Sequence, residues 1–278
     1  MRMKASIVVP SKGCEYLRYL LKGLRSQSYK SFEAILILKD CDLRVAERLC
    51  QDYSLNCVIL EQKEGNVTQA LNMGKKEAKG DITIFTDNDA IPLQGWVERY
   101  IKIHYKFKNV AGISSRDIYI DLSSLQILPI LDDKPEVRLY RLFIRPWLEQ
   151  PHPLLKKYRL GVYLTKKLDI AHGFCIPNCI CYSLAFRGVN MSFKTNYIYD
   201  VSFPEHRLLK RTIGFEQYFS LQLVLKELDL VYVPNNPVLH IARSESLSRT
   251  RYKGDLRKEF EIMKSLYREL LLKHGIEV

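Results

Sequence analysis

A chain of 278 residues with 47% hydrophobic content can bury a sizeable core, and its length fits one large domain or a domain with an appendage. No run reaches the roughly 18 uninterrupted apolar residues of a membrane span; the nearest, residues 174–186, is short and broken by Pro177 and Asn178. The formal net charge of +12 calls for an anionic partner, whether nucleic acid, nucleotide or membrane surface.

The N-terminus runs straight into a strand pattern without a secretory signal, so the expected location is cytoplasmic, with peripheral contact on the inner face of the membrane as a further option. Residues 5–9 read as an apolar strand, and Leu17, Leu20, Leu21 and Leu24 then recur at helical spacing. Residues 32–38 return to strand, 43–53 to helix and 56–60 to strand. Residues 67–78 form a helix with Ala70, Leu71 and Met73 on one face, followed by a fourth strand at 81–86 and a helix at 96–107. This alternation predicts an α/β fold, a mixed, mainly parallel sheet flanked by helices.

Beyond residue 110 the pattern loosens into a short strand at 110–114 and a Pro-containing basic region. A helix at 215–227, a strand at 230–233 and the turn Pro234-Asn235-Asn236-Pro237 follow. This irregular half is expected to complete the first sheet, giving a division into residues 1–115, 116–254 and a C-terminal amphipathic helix, 255–278. Phe260, Met263, Tyr267, Leu270 and Leu271 form one stripe along that helix, which favours docking on the core over lying on a membrane.

The seven cysteines include no Cys-x-x-Cys pair and read as reduced and structural. Cys175, Cys179 and Cys181 cluster near His172, but the spacing matches no common zinc pattern. Between Arg138 and Lys167, eight Lys or Arg residues face one acid, Glu149, and are interleaved with Tyr140, Phe143, Trp147, Tyr158 and Tyr163. That composition suits an anionic lipid surface, or a ligand carrying a phosphate or diphosphate. Nucleic acid is disfavoured, because no nucleic-acid fold signature accompanies the segment.

The stretch Gly80-Asp81-Ile82-Thr83-Ile84-Phe85-Thr86-Asp87-Asn88-Asp89-Ala90 ends a buried strand in two carboxylates one residue apart. Ligands of open α/β sheets collect at strand ends, so Asp87 and Asp89 are expected to face a crevice where a cation and a phosphate meet. No dinucleotide fingerprint or P-loop is present, so the ligand is held by other means. Lys39-Asp40-Cys41-Asp42 ends the second strand; it sets a carboxylate, Asp40, against a base or ribose, while Asp42 reads as the cap of the next helix.

Several segments fall in a fixed order: Ser6-Ile7-Val8-Val9-Pro10-Ser11, Gln27-Ser28-Tyr29, Phe32 to Ile37, Gly65-Asn66, Ala70-x-Asn72-x-Gly74, and Gly80-Asp81 leading to Asp87-Asn88-Asp89-Ala90-x-Pro92. Together they resemble family 2 glycosyltransferases of the nucleotide-diphospho-sugar (GT-A, Rossmann-like) fold. The resemblance continues in Gly188-Val189-Asn190-Met191, in Gly214-Phe215-Glu216-Gln217 and in Val231-x-Val233-Pro234 leading to His240.

The resemblance implies donor contacts from Pro10, Ser11, Asp40, Gly65, Asn72, Asp87 and Asp89, and an acceptor side formed by Asn190, Met191 and Gln217. It implies a divalent metal, Mn2+ or Mg2+, on Asp89 and His240, the histidine tilting the choice toward manganese. Glu216 is the implied base of an inverting displacement; where the family typically shows a second acid this chain has Gln217, and an amide cannot take a proton. Arg243 and Arg249 are expected in a loop over the diphosphate. The implied donor is a UDP- or GDP-linked sugar and the acceptor a hydroxyl on a glycan or a lipid-linked molecule. Two other readings share the sheet: a nucleotidyltransferase, and a non-catalytic nucleotide-sugar or lipid-phosphate binding protein whose acid pair has decayed.

Overall fold

The computed structural model describes residues 3–243 and 253–277. β1 (Ala5–Lys12) leads into α1 (Leu17–Arg25), whose Leu17, Leu20, Leu21 and Leu24 all point inward. β2 (Phe32–Lys39) and β3 (Cys57–Glu61) flank α2 (Leu43–Asp52), which Asp42 caps by accepting the Arg44 amide at 3.0 Å. α3 (Val67–Glu77) opens in a reciprocal cap between Asn66 and Gln69. β4 (Ile82–Phe85), β5 (Ala90–Pro92), α4 (Trp96–Lys106), β6 (Val110–Ser114) and β7 (Asp117–Ile120) follow.

In the second half α5 (Pro135–Leu139) runs through a π turn (Tyr140–Ile144) into α6 (Arg145–Leu148). β8 (Val162–Leu164) and β9 (Ile170–His172) pair with each other. β10 (Cys181–Tyr182), β11 (Met191–Lys194), α7 (Thr195–Ile198), α8 (Phe215–Leu225), β12 (Asp229–Tyr232), β13 (Val238–Ile241) and α9 (Lys253–Lys273) complete the order. No helix among the described residues is long and apolar enough to cross a membrane.

The main sheet has eight strands in the order β10-β12-β6-β11-β4-β1-β2-β3. β3, β2, β1 and β4 are mutually parallel, and β11 enters antiparallel between β4 and β6. Strands from both halves of the chain therefore share one sheet. Its pleat sorts the core into two layers, Ile7 and Val9 packing with Leu36 and Trp96, while Val8 packs with Ile35, Phe85 and Phe219 on the opposite face. α9 closes the second layer with Met263, Tyr267 and Leu271, so the amphipathic stripe covers core.

Two expectations need correction here. Cys14 is paired with Cys41 and Cys50 with Cys57 as disulfides, with Cα separations of 5.4 and 6.3 Å, so four of the cysteines read as reduced are bonded. The first pair joins the loops after β1 and β2, which only the parallel pairing of those strands brings side by side. Asn190 and Met191, expected beside an acceptor, have no exposed surface. Met191 packs in the core on β11. Asn190 accepts from Trp96 Nε1 (2.9 Å) and the Tyr100 hydroxyl (2.7 Å) and donates to the carbonyls of Arg116 (2.8 Å) and Asn236 (2.9 Å). It thereby fastens α4 to the loops below the candidate site.

Asn190→Ala leaves Trp96 Nε1, the Tyr100 hydroxyl and the Asn236 carbonyl buried without those bonds, the Arg116 carbonyl keeping the Val238 amide, so denaturant unfolding is expected to show a loss of about 3 kcal/mol or more. A loss below about 1 kcal/mol would contradict the assignment.

Candidate active site

The acidic stretch after β4 is fixed by a second, three-stranded sheet in the order β5-β13-β7. β13 sets His240 opposite Ala90 on one side and opposite Tyr119 on the other, and the Ile241 amide donates to the Asp89 carbonyl at 2.9 Å. The strand pairing thus delivers a histidine from late in the chain to the Asp87-Asn88-Asp89 turn. Ligand atoms of Asp87, Asp89 and His240 lie within 4.8 Å of one another, the one such acidic or histidine cluster found among the described residues.

His240 Nε2 lies 3.5 Å from Asp89 Oδ2, and its Nδ1 is 2.8 Å from Asp117 Oδ2. The ring stacks on Tyr119 at 4.6 Å. Asp117 is fully buried and also accepts two bonds of 3.0 Å from Arg187. Arg187 reaches Asp132 at 2.9 Å, and Asp132 pairs in turn with Arg141 and His172. On the other side Arg243 Nη2 sits 2.5 Å from Asp89 Oδ2 and donates to Asn88 Oδ1 at 2.7 Å, with its guanidinium 4.6 Å over the Tyr16 ring. Asn88 donates to Ser11 Oγ at 2.8 Å, linking the ends of β1 and β4.

These neighbours drive the two carboxylates apart. Burial, and then the charge of Asp89, push Asp87 up to about 6. Burial also opposes ionisation of Asp89, but the hydrogen bond and charge of His240, with Arg243 beside it, outweigh burial and hold its carboxyl below the usual range. Burial disfavours the imidazolium of His240, yet its bonds to Asp117 and Asp89 raise its pKa to about 10. Asp89 Oδ1 is buried without a hydrogen-bond partner. The carboxylates of Asp87 and Asp89, the latter with one unmet buried oxygen, fit a divalent cation of the manganese or magnesium kind, and His240 would complete the set by giving up its Nε2 proton to such a cation.

Glu216 opens α8 behind Gly214, which adopts a left-handed φ of 92° that glycine tolerates. Burial pushes the Glu216 carboxyl up to about 7, with the charge of Asp87 adding to it, and its Oε2 has no partner. A cavity of about 510 Å³ lies beside it, lined in part by His172, Phe186, Arg187, Met263 and Tyr267. Gln217 lines it as well but is turned inward, its amide donating to the Ala185 carbonyl at 2.7 Å.

Ser11, Asp87, Asp89, His240 and Arg243 are thus brought together, with Glu216 on the cavity side. Pro10 is buried at the end of β1 next to Ser11, and Asp40 is exposed at the end of β2 with a positive φ of 54°. Gly65 accepts from Lys39 Nζ at 2.7 Å. Asn72 is not part of the cluster: its amide joins α3 to Phe203 (2.9 and 3.1 Å) and Glu205 (2.7 Å). Arg249 lies outside the described residues. Asp117, Asn88, Tyr119 and Tyr16 were missed by the sequence reading. Asp117 carries a signal that was available, since it follows a strand end much as Asp87 does.

A family model described as Glycosyl transferase family 2 matches residues 6–168, more than half of the chain. YfnE of Bacillus subtilis (strain 168), an uncharacterized glycosyltransferase, is 28% identical over 124 residues, 42% of this chain and 31% of that protein. TarS of Staphylococcus aureus, a poly(ribitol-phosphate) beta-N-acetylglucosaminyltransferase, is 29% identical over 93 residues, 31% of this chain and 16% of TarS. The chain therefore spans about a third or less of the length of these curated relatives. Residues 1–349 of S. aureus TarS in complex with UDP-GlcNAc superpose with a TM-score of 0.64 at 15% identity, covering 97% of this chain and 67% of that one. A mannosyltransferase from Pyrobaculum calidifontis, in complex with GDP-Man and Mn2+, gives 0.59 at 12% identity, covering 96% and 70%. At these identities the likeness is one of fold, the GT-A fold.

A carboxyl whose folded pKa lies above its ordinary value of 4.5 binds more protons folded than unfolded, so it favours the folded state least once pH exceeds about 7. Glu216→Gln is therefore expected to melt higher than the parent above pH 7, the gap shrinking as pH falls toward 4.5. Difference 13C NMR should place the Glu216 midpoint near 7; a midpoint below 5 would overturn the burial argument.

Proposed function

This chain belongs to glycosyl transferase family 2, and on that premise we propose that it is an inverting, metal-dependent glycosyltransferase using a nucleotide-diphosphate sugar. The observation that carries the reading is the meeting of Asp87, Asp89 and His240 at the strand ends, with Glu216 on the side of the 510 Å³ cavity. Asp89 and His240 would hold a divalent cation, with Asp87 beside them or toward the ribose, and the cation when bound would supply positive charge for the departing diphosphate. The imidazole in the donor set favours manganese.

The chain's own groups do the rest. Asp117 holds His240 by Nδ1 and so aims Nε2 at the Asp89 side. Arg243, already across Asp89 and Asn88, is placed to shift onto a phosphate oxygen, where a guanidinium makes paired charged hydrogen bonds. Ser11 and Asp40, at the ends of β1 and β2, face the nucleoside. Glu216 takes the proton of the acceptor hydroxyl as that oxygen attacks the anomeric carbon opposite the diphosphate. A base poised near neutrality fits that task, and one such base suffices for inversion. The TarS and Pyrobaculum enzymes were solved with UDP-GlcNAc and with GDP-Man and Mn2+, which supports a UDP- or GDP-linked donor. The acceptor reading is a hydroxyl on a glycan or lipid-linked molecule.

Titration of UDP and GDP with and without Mn2+ is expected to raise the melting temperature only with metal, and Asp89→Ala to lose that shift. Glu216→Gln should keep the shift while release of UDP or GDP from the matching sugar falls about 10³-fold. Failure of both nucleotides to shift the metal-loaded protein would refute the reading. A separate profile of kcat against pH is expected to rise through an acidic limb near 7, the value set by Glu216.

A further inference from the structure

The helical segment that runs from α5 through the π turn into α6 has its polarity reversed. Arg141 points inward, pairing with Asp132 and donating to the Ile176 carbonyl at 2.8 Å. Leu139, Leu142, Phe143, Ile144, Trp147 and Leu148 stand exposed, Phe143 at 64% and Trp147 at 82%. A helix that covers a core turns its apolar stripe the other way. Positions 139, 142, 143 and 147 recur at three and four residues, so they share a face. Single exposed apolar side chains are ordinary, but a contiguous set on one short segment marks an interaction surface.

The surroundings of this face are basic. Lys134 precedes α5, while the turn bearing Lys166 and Lys167 is tied to the far end by the Lys166 amide on the Gln150 carbonyl at 3.1 Å; Arg138 shares the inward side of Arg141 and lies over the Phe174 ring. Among the described residues Lys134, Lys166 and Lys167 have no carboxylate partner. The acids between 134 and 150 are Glu136 and Glu149, and Glu149 already accepts from Arg145 and Tyr140 at 3.0 Å.

We propose that this face docks on an anionic lipid bilayer, Phe143, Trp147 and the neighbouring leucines entering the boundary between headgroups and acyl chains while Lys134, Lys166 and Lys167 meet lipid phosphates. An apolar stripe with an exposed tryptophan and flanking cations is the composition of an interfacial helix. Laterally mobile anionic headgroups satisfy cations from two separate elements without the fixed register that a protein partner needs. The inner side of the same segment adjoins the cavity beside Glu216, since Arg145 donates to the carbonyl of His172, a cavity-lining residue. Docking is independent of sugar transfer and is measured without donor, acceptor or metal.

The full chain carries its own reporter: Trp147 is exposed, whereas Trp96, the other tryptophan, has no exposed surface. The chain is floated with vesicles of phosphatidylcholine, and with vesicles of phosphatidylcholine and phosphatidylglycerol in equal parts. Binding is expected on the anionic vesicles, with a blue shift of Trp147 emission and quenching by brominated acyl chains. Phe143→Ser with Trp147→Ser should lower partition about tenfold or more, and Lys166→Glu with Lys167→Glu by about fivefold. Tyr199→Ser, at a residue 88% exposed beside α7, should float like the parent, and melting temperatures of all variants should match. Absence of flotation on anionic vesicles, or flotation that survives loss of Phe143 and Trp147, overturns the proposal. So does a dimer seen by light scattering without lipid and broken by those same substitutions, because the face is then an interface between copies.

Discussion

A carboxylate with no exposed surface must be matched by charge and hydrogen bonds, and Asp117 sets that requirement for this fold. Its two oxygens are met by Arg187 and by His240 Nδ1, which come from the loop before β11 and from β13. Arg187 must then match Asp132, and Asp132 draws in Arg141 and His172. The result is a continuous series of ion pairs from the exposed α5–α6 segment to Asp89. Removing a partner from such a buried pair typically costs about 3–5 kcal/mol, because the remaining charge stays in low dielectric. The small sheet β5-β13-β7 is therefore tied in by charge as well as by strand pairing.

That arrangement decides what each acid in the site can do. Asp87 and Asp89 leave the same strand end, yet one is pushed up by burial and its neighbour while the other is held down by His240 and Arg243. Separating the pKa values of adjacent carboxylates assigns them different tasks. Glu216 belongs to a different layer, at the start of a helix packed against α9, and apolar surroundings keep its proton to about neutrality. The Asp87–Asp89–His240 cluster is thus charged and strongly bonded, while the cavity is lined by apolar and charged side chains together, with Glu216 Oε2 unmet.

The same logic explains the reversed helix. Arg141 is turned inward because Asp132 needs it, and the stripe that would ordinarily cover a core is left facing out. Asn190 is the neutral counterpart of this behaviour. Its four satisfied hydrogen bonds make it a fastening inside the protein, although its place in the sequence pattern suggested a contact with substrate.

Much was legible in the chain order alone. Hydrophobic period and turn residues located β1 to β4, α1 to α4 and α8 to within a few residues, because these elements carry local apolar runs or stripes, and for α2 the cap Asp42 is local as well. The acids after β4 were visible for the same reason, since an apolar run that stops at Asp-x-Asp cannot continue into a core. What the sequence does not contain is distance between remote segments. That Cys14 meets Cys41, that Asn72 is turned onto Phe203 and Glu205, and that Asp117 stands behind His240 follow from strand order and register, which form only when the whole sheet assembles. Sequence determined the residue types and the strand ends where a charged ligand fits; tertiary structure decided which of those residues face the ligand and which are consumed in holding them, because burial makes every polar group find a partner.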